Sequence, residues 1–357
     1  MANKRKIVLY FILVGLLLIL YFLYGRNTFE LYLQNGNNEF INQLITHFYP
    51  RFLVEKSRFS NEFFLNKLDQ FLIRILFSFT TIFLFYYFKI ITYFIHKEAL
   101  TTQFHGKILH WIYFTYLLYI VKDWWWLYED LDKLSVFYVP IKIISFLPYP
   151  PLVLTKALIL IMLIGAMLSI IYQKWWAKLL TLLIFNYLQA LFFSFNKIDH
   201  GYLLFNYVGM IFIFWNQDLK WNQKLLVAIL LVVCLTYSFA GLEKLFSSGI
   251  TWAEANNFRV FLQLHSNDLS NWISTHYLLC VTLPFMAFML QISFLLCFFV
   301  PKLRPFYIVA GVLFHLSTYF IFNIGALIHP WIITYVFFIP ASFFKNGANF
   351  KNSQIPE

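Results

Sequence analysis

The chain has 357 residues, of which 61% are hydrophobic and only 12% charged, with a mean hydropathy of +0.69. Soluble domains carry roughly 45–50% apolar and about 25% charged residues, so a soluble globular protein is excluded. Aromatic residues make up 22% of the chain, and rigid rings in that number suit hydrocarbon and its interfaces rather than a disordered segment. A net charge of +11 raises nucleic acid as a partner, and its location along the chain decides that question.

At roughly 20 residues per transmembrane helix, about ten spans account for most of the length and leave no room for a separate soluble catalytic domain. The basic residues 1–6 precede an apolar run over 7–23 that is followed by Tyr24-Gly25-Arg26. That run is longer than a signal-peptide core and lacks a small-x-small site, so it predicts an uncleaved first helix. Further spans are expected near 71–95, 106–124, 152–172, 176–195, 201–216, 224–244, 277–300, 305–322 and 326–343. Pro330 and Pro340 leave the last of these open to a re-entrant course. Residues 25–70 are expected as one long outer loop, with an apolar stretch over 40–52 along the interface. The Trp124-Trp125-Trp126 cluster at the end of the third span fits an interfacial aromatic belt better than a stacking platform. Residues 252–265 interleave Glu254, Asn256, Asn257 and Arg259 with apolar positions at helical spacing, which predicts an amphipathic helix in the outer interface.

With the N-terminus in the cytoplasm, the inner segments hold 13 Lys and Arg against three acids, and the rest of the chain holds 14 basic and 13 acidic residues. The excess positive charge therefore follows the positive-inside pattern, without nucleic acid. The expected protein is an all-α polytopic bundle of the cell membrane, with nine or ten transmembrane helices and one interfacial helix. Cys234, Cys280 and Cys297 lie in apolar runs without a CxxC spacing, so buried free thiols are expected.

No GxGxxG, Walker, HExxH, CxxC or GxSxG sequence occurs, which removes the usual nucleotide, zinc-protease and hydrolase signatures, and no metal is expected. His105 and His110 are five apart, on different helix faces, and do not make a metal pair. Three segments place polar groups at the outer ends of spans: residues 196–202, with Asn196, Asp199, His200 and Tyr202; residues 237–245, with Glu243 and Lys244; and residues 314–325, with His315 and Asn323. An ionisable residue inside a span usually faces a protein interior or a wet cavity, which makes Lys244 and His315 functional candidates. Each also has an ordinary structural reading. Lys244 can snorkel or pair with Glu243, His200 can be a solvated turn residue, and His315 can hydrogen-bond a neighbouring helix.

In these three segments the sequence resembles the horizontally transferred transmembrane (HTTM) domain, the membrane part of vitamin K-dependent gamma-carboxylase and similar bacterial proteins. An Asn-His-x-Tyr turn is matched loosely by Asn196, His200 and Tyr202. A Tyr-x-x-Ala-Gly-x-x-Lys-Leu segment followed by Trp is matched by Ala240, Gly241, Lys244, Leu245 and Trp252, and a Phe-His segment followed by Phe-x-Ile-Gly by Phe314, His315, Phe322, Ile324 and Gly325. The resemblance covers roughly residues 105–345, which implies an N-terminal extension over 1–104, with two spans and an outer loop, and a tail over 346–357. It implies quinol chemistry on the extracytoplasmic side: a lysine base acts on a reduced, vitamin K-like quinone, oxygen yields an epoxide and a strong base, and carboxylation follows. Lys244 is then the expected base, His200 an assisting group and His315 a third catalytic residue, with Tyr202, Trp252, Glu243 and Asn323 expected to bind substrate. Such a base must be desolvated or set near positive charge to be neutral at pH 7, since a free lysine titrates near 10.4.

No counterpart of the carboxylase's large extracytoplasmic domain is expected, and with it a related reaction on another substrate is expected rather than protein glutamate carboxylation. The competing reading is a non-enzymatic transporter or a membrane subunit that binds a partner. Against transport stand the lack of an internal repeat and of paired Gly/Pro-broken spans. The expected partners are the bilayer and a lipid-soluble quinone or another substrate; a protein partner is not specified by the sequence.

Overall fold

The computed structural model describes residues 2–35, 39–48, 56, 59–87, 102–141, 144, 146–195, 201–325, 327–340 and 343. It is 84% helical, and the described residues contain no strand. The chain forms two compact units, residues 1–90 and 91–357.

In the first unit, α1 (Ala2–Leu20) passes through a π-helical turn (Tyr21–Gly25) directly into α2 (Arg26–Asn35), followed by α3 (Glu39–Phe48) and α4 (Asn61–Tyr87). The expected loop over 25–70 is therefore largely helix. Hydropathy marks where an apolar run stops, whereas the backbone stays helical as long as its polar residues find partners. Asp69 supplies them, accepting from Tyr21 Oη at 2.6 Å and pairing with Arg26 Nε at 3.3 Å. Tyr10 stacks on Phe83 with centroids 4.0 Å apart, so α4 runs antiparallel to α1. Of the apolar stretch over 40–52, the part to Phe48 is helical and the rest lies outside the described residues.

The second unit opens with α5 (Gln103–Ile120), capped by the Thr102 side chain accepting from the His105 amide, and α6 (Trp124–Lys133), which carries the tryptophan cluster. Trp124 is buried and stacks on Phe185 at 5.2 Å, while Trp126 is exposed. Next come α7 (Leu152–Tyr172) and α8 (Trp175–Phe193), joined through Gln173 in the left-handed region (φ 55°). Gly165 lets them approach closely, because a Cβ there would meet the Thr181 hydroxyl; small residues at such crossings are what membrane helices use in place of a hydrophobic drive.

After α9 (Leu203–Phe212), α10 (Leu219–Ser248) runs 30 residues from an Asp218 cap, whose side chain accepts from the amides of Lys220 and Trp221, to Gly249 at φ 63°. Two short helices follow, α11 (Ala255–Leu264) and α12 (Asp268–Thr275), then α13 (Tyr277–Ser293), α14 (Leu296–Phe299), α15 (Arg304–Phe322) and α16 (Pro330–Thr334), with a 3-10 turn over Tyr335–Phe338. The amphipathic segment is thus a ten-residue helix. Its Ala255 and Leu262 pack with Ile273, Cys280, Ile321 and Phe322, while Val260 and Leu264 stay exposed. All three cysteines are buried and free.

Among the described residues, five helical stretches are long and apolar enough to cross a membrane: Leu9–Gln34, Leu152–Tyr172, Trp175–Phe193, Leu219–Phe246 and Pro301–Phe322. A sixth is formed if α12 and α13, bent by 108°, count as one broken span. Together they suggest a multi-pass membrane protein. Other expected spans take different forms. The 201–216 run holds a helix of ten residues, and the 326–343 run turns from α16 into a 3-10 segment. The 106–124 run is helical only to Ile120, in a helix whose first two turns carry His105, Lys107 and His110, and then turns into α6.

Candidate functional site

Residues 237, 241 and 244 recur at helical spacing and form one stripe on α10. Gly241 is the pivot of that stripe. A Cβ at this position would lie 2.7 Å from the Ile292 amide nitrogen and 3.0 Å from the Gln291 carbonyl carbon, so only glycine admits α13 at this distance. The close approach brings Ser238 Oγ to the Leu295 amide, from which it accepts at 2.9 Å. It also brings Gln291 Oε1 to Lys244 Nζ, which donates to it at 2.7 Å and to the Ala240 carbonyl at 3.4 Å. Lys244 Nζ stands 5.0 Å from the centroid of Trp252, which in turn stacks near Phe288. Lys244 is half-buried, and its contacts include a carboxamide, a carbonyl and an indole face, while the adjacent Glu243 carboxylate acts on it electrostatically. Glu243 is exposed.

One turn below Gly241, Tyr237 enters a second polar cluster. Tyr335 donates to the Tyr237 hydroxyl, and Tyr237 donates to His315 Nε2 at 2.5 Å, which places the imidazole proton on Nδ1. Tyr237 is fully buried and His315 is 6% exposed. The His315 ring lies parallel to that of His329, with centroids 4.3 Å apart and planes 8° apart. Gly311, one turn from His315 on α15, leaves the space that the Tyr335 hydroxyl occupies. His329 Nδ1 accepts from the Trp331 amide and caps α16.

The sequence-expected residues are thus distributed unevenly. Lys244 and Trp252 are in contact. Lys244 and His315 belong to different clusters: His315 meets α10 at Tyr237, which stands seven residues, or about 10 Å of helix, from Lys244. Tyr202 sits at the start of α9, edge-on to Phe185 at 6.0 Å, and Asn323 ends α15 in the left-handed region (φ 53°) as an exposed residue. His200 lies outside the described residues. An open apolar groove of about 580 Å³ runs between α13 and α15, lined among others by Leu290 and Phe314. Its walls adjoin Gln291 and His315 in sequence and contain neither Lys244 nor His315. Among the described residues, no three His, Cys, Asp or Glu side chains gather as metal ligands would.

Sequence reasoning missed Gln291, Tyr335 and His329 as members of these clusters, and a buried amide pair in which Asn206 donates to Gln189 at 2.7 Å. Neutral amides and tyrosines are common in apolar helices, so only the spacing from Gly241 could have pointed to them. Compared with known protein families, individual proteins and solved structures, the chain has no match.

Proposed function

We propose that the chain is an intramembrane enzyme acting on a lipid-soluble quinol, akin to the HTTM domain of vitamin K-dependent gamma-carboxylase, in epoxidation or carboxylation-like chemistry. It lies in the cell membrane with nine or ten spans, its N-terminus in the cytoplasm and α11 in the extracytoplasmic interface. The observation that carries this reading is the seat of Lys244: an amine held at the packed junction of α10 and α13 by a carboxamide and an indole.

In this scheme Lys244 Nζ takes the proton of a quinol hydroxyl. Gln291 fixes the amine by accepting one of its hydrogens, and Trp252 offers an aromatic face against which a quinol ring can stack. His315 and Tyr237 hold a proton in a separate hydrogen-bonded chain about 10 Å along α10 from Lys244, and the apolar groove between α13 and α15 suits an isoprenoid tail. His200 and Tyr202 are assigned to the same face by the resemblance alone.

The test uses purified protein in lipid nanodiscs with a reduced naphthoquinol, followed by oxygen consumption and quinone analysis. Lys244→Ala is expected to lower turnover by about 100-fold or more, as removal of a general base does, while quinol retention measured by mass spectrometry stays as in the parent protein. Unaltered turnover removes Lys244 from the chemistry. Absence of quinol turnover in the parent protein overturns the enzyme reading.

A further inference from the structure

A polar vestibule lies at the other end of α10. It has a volume of about 720 Å³ and lies where α7, α8, α9 and α10 meet. Its walls carry Tyr172, Trp175, Trp215 and Trp221, together with one cation, Lys174, and one anion, Asp218. Neither charged residue forms an ion pair with another described residue.

The wall formed by residues 212–218 is not an ordinary mobile loop. Lys178, in the first turn of α8 and 0% exposed, donates to the carbonyls of Trp215 at 2.6 Å and Phe212 at 3.3 Å, with His110 Nε2 at 3.3 Å as a third acceptor. His110 is itself oriented by the Gly106 carbonyl at 2.7 Å. Asn222 accepts from the Asn216 amide at 3.0 Å and donates to its carbonyl at 2.7 Å. Trp221 Nε1 donates to the Phe214 carbonyl, and Asn216 Oδ1 accepts from the Asp218 amide. A buried ammonium is costly unless it is well bonded, and here it is spent on holding a loop in one shape. Trp215 is buried, whereas Tyr172, Trp175, Trp221, Lys174 and Asp218 are exposed, and a cavity kept rigid while such walls stay open is preorganised for a ligand.

The wall chemistry fits a dipolar ligand. Indole and phenol faces beside a carboxylate attract an alkylammonium, as the Lys224 ammonium 5.9 Å from the Trp221 centroid already illustrates. Lys174, opposite in sign, suits a phosphate. Both charges sit among the tryptophans and tyrosine that mark a membrane interface. We propose that this vestibule binds the headgroup of a zwitterionic phospholipid, its ammonium toward Asp218 and the aromatic walls, its phosphate on Lys174. This inference does not depend on the quinol reading or on Lys244.

The experiment is lipid retention by the full chain, purified in detergent with equal amounts of phosphatidylethanolamine and phosphatidylglycerol and weighed by native mass spectrometry. The parent protein is expected to retain phosphatidylethanolamine preferentially. Asp218→Asn, which keeps an oxygen for the α10 cap, is expected to abolish that preference. Lys174→Gln is expected to lower retention of both lipids by about tenfold, the effect of losing one favourable charge contact. Equal retention of the two lipids by the parent protein, or unchanged retention in both variants, overturns the proposal. Thermal unfolding of each variant separates loss of the site from loss of the fold.

Discussion

Tyr237 stands in the middle of a hydrogen-bonded chain and Tyr335 at its head, so removal of the two hydroxyls is unequal. Tyr335→Phe deletes a donor and leaves Tyr237 still donating to His315. Tyr237→Phe strands both neighbours, a phenol and an imidazole nitrogen, in a place that water does not reach. Leaving buried polar groups unpaired costs about 1–3 kcal/mol, against about 1 kcal/mol for a single net hydrogen bond. Tyr237→Phe is therefore expected to destabilise by about 2 kcal/mol and Tyr335→Phe by about 1 kcal/mol, read from unfolding in detergent. A double variant less destabilised than the sum of the two identifies one connected network; strict additivity contradicts it. At this scale the sequence marked Lys244 and His315, because an ionisable group in an apolar run is conspicuous. Lys178 escaped notice for the opposite reason: it stands near a span boundary, where lysines are usually solvated, and yet it is fully buried.

At the scale of elements, the helical class and the long spans were legible, since apolar runs such as 152–172 coincide with a single helix. The breaks were not. The 277–300 run reads as one span, yet α13 ends at Ser293, Leu296 starts a separate short turn, and α12 meets α13 at 108°. Hydropathy is blind to direction and to how closely two backbones pass. Gly241 shows the consequence, because the whole Lys244 seat depends on the α10 to α13 distance there. Gly241→Val places branched carbon where the Ile292 backbone now lies at 2.7 Å, and overpacking of this kind costs about 1–3 kcal/mol. The expected outcome is a lower unfolding temperature together with loss of quinol turnover, although Lys244 itself is intact. Turnover at the parent rate in a folded Gly241→Val protein separates the Lys244–Gln291 contact from the chemistry. Gly241→Ala, which asks for a smaller shift, is expected to fall between the two.

At the scale of the molecule, sidedness rests on charge. Lys178 is held inside the second unit by carbonyls, so it no longer acts as a free charge of the inner loops; that leaves 12 basic residues against three acids on the proposed cytoplasmic side. The positive-inside bias is set by basic residues flanking the spans and survives the loss of one. The three native cysteines are buried, which keeps the background low in thiol labelling of intact cells. Two exposed positions lie on opposite sides of the proposed topology: Lys302, between α14 and α15, and Asn256, in α11. With a membrane-impermeant maleimide, Asn256→Cys is expected to label in intact cells. Lys302→Cys is expected to label only after the membrane is opened. The reverse pattern inverts the topology and moves Lys244 to the cytoplasmic side. Labelling of both from outside removes a crossing from the stretch between them, which holds the bent pair α12 and α13, and would make that pair a re-entrant hairpin rather than a span.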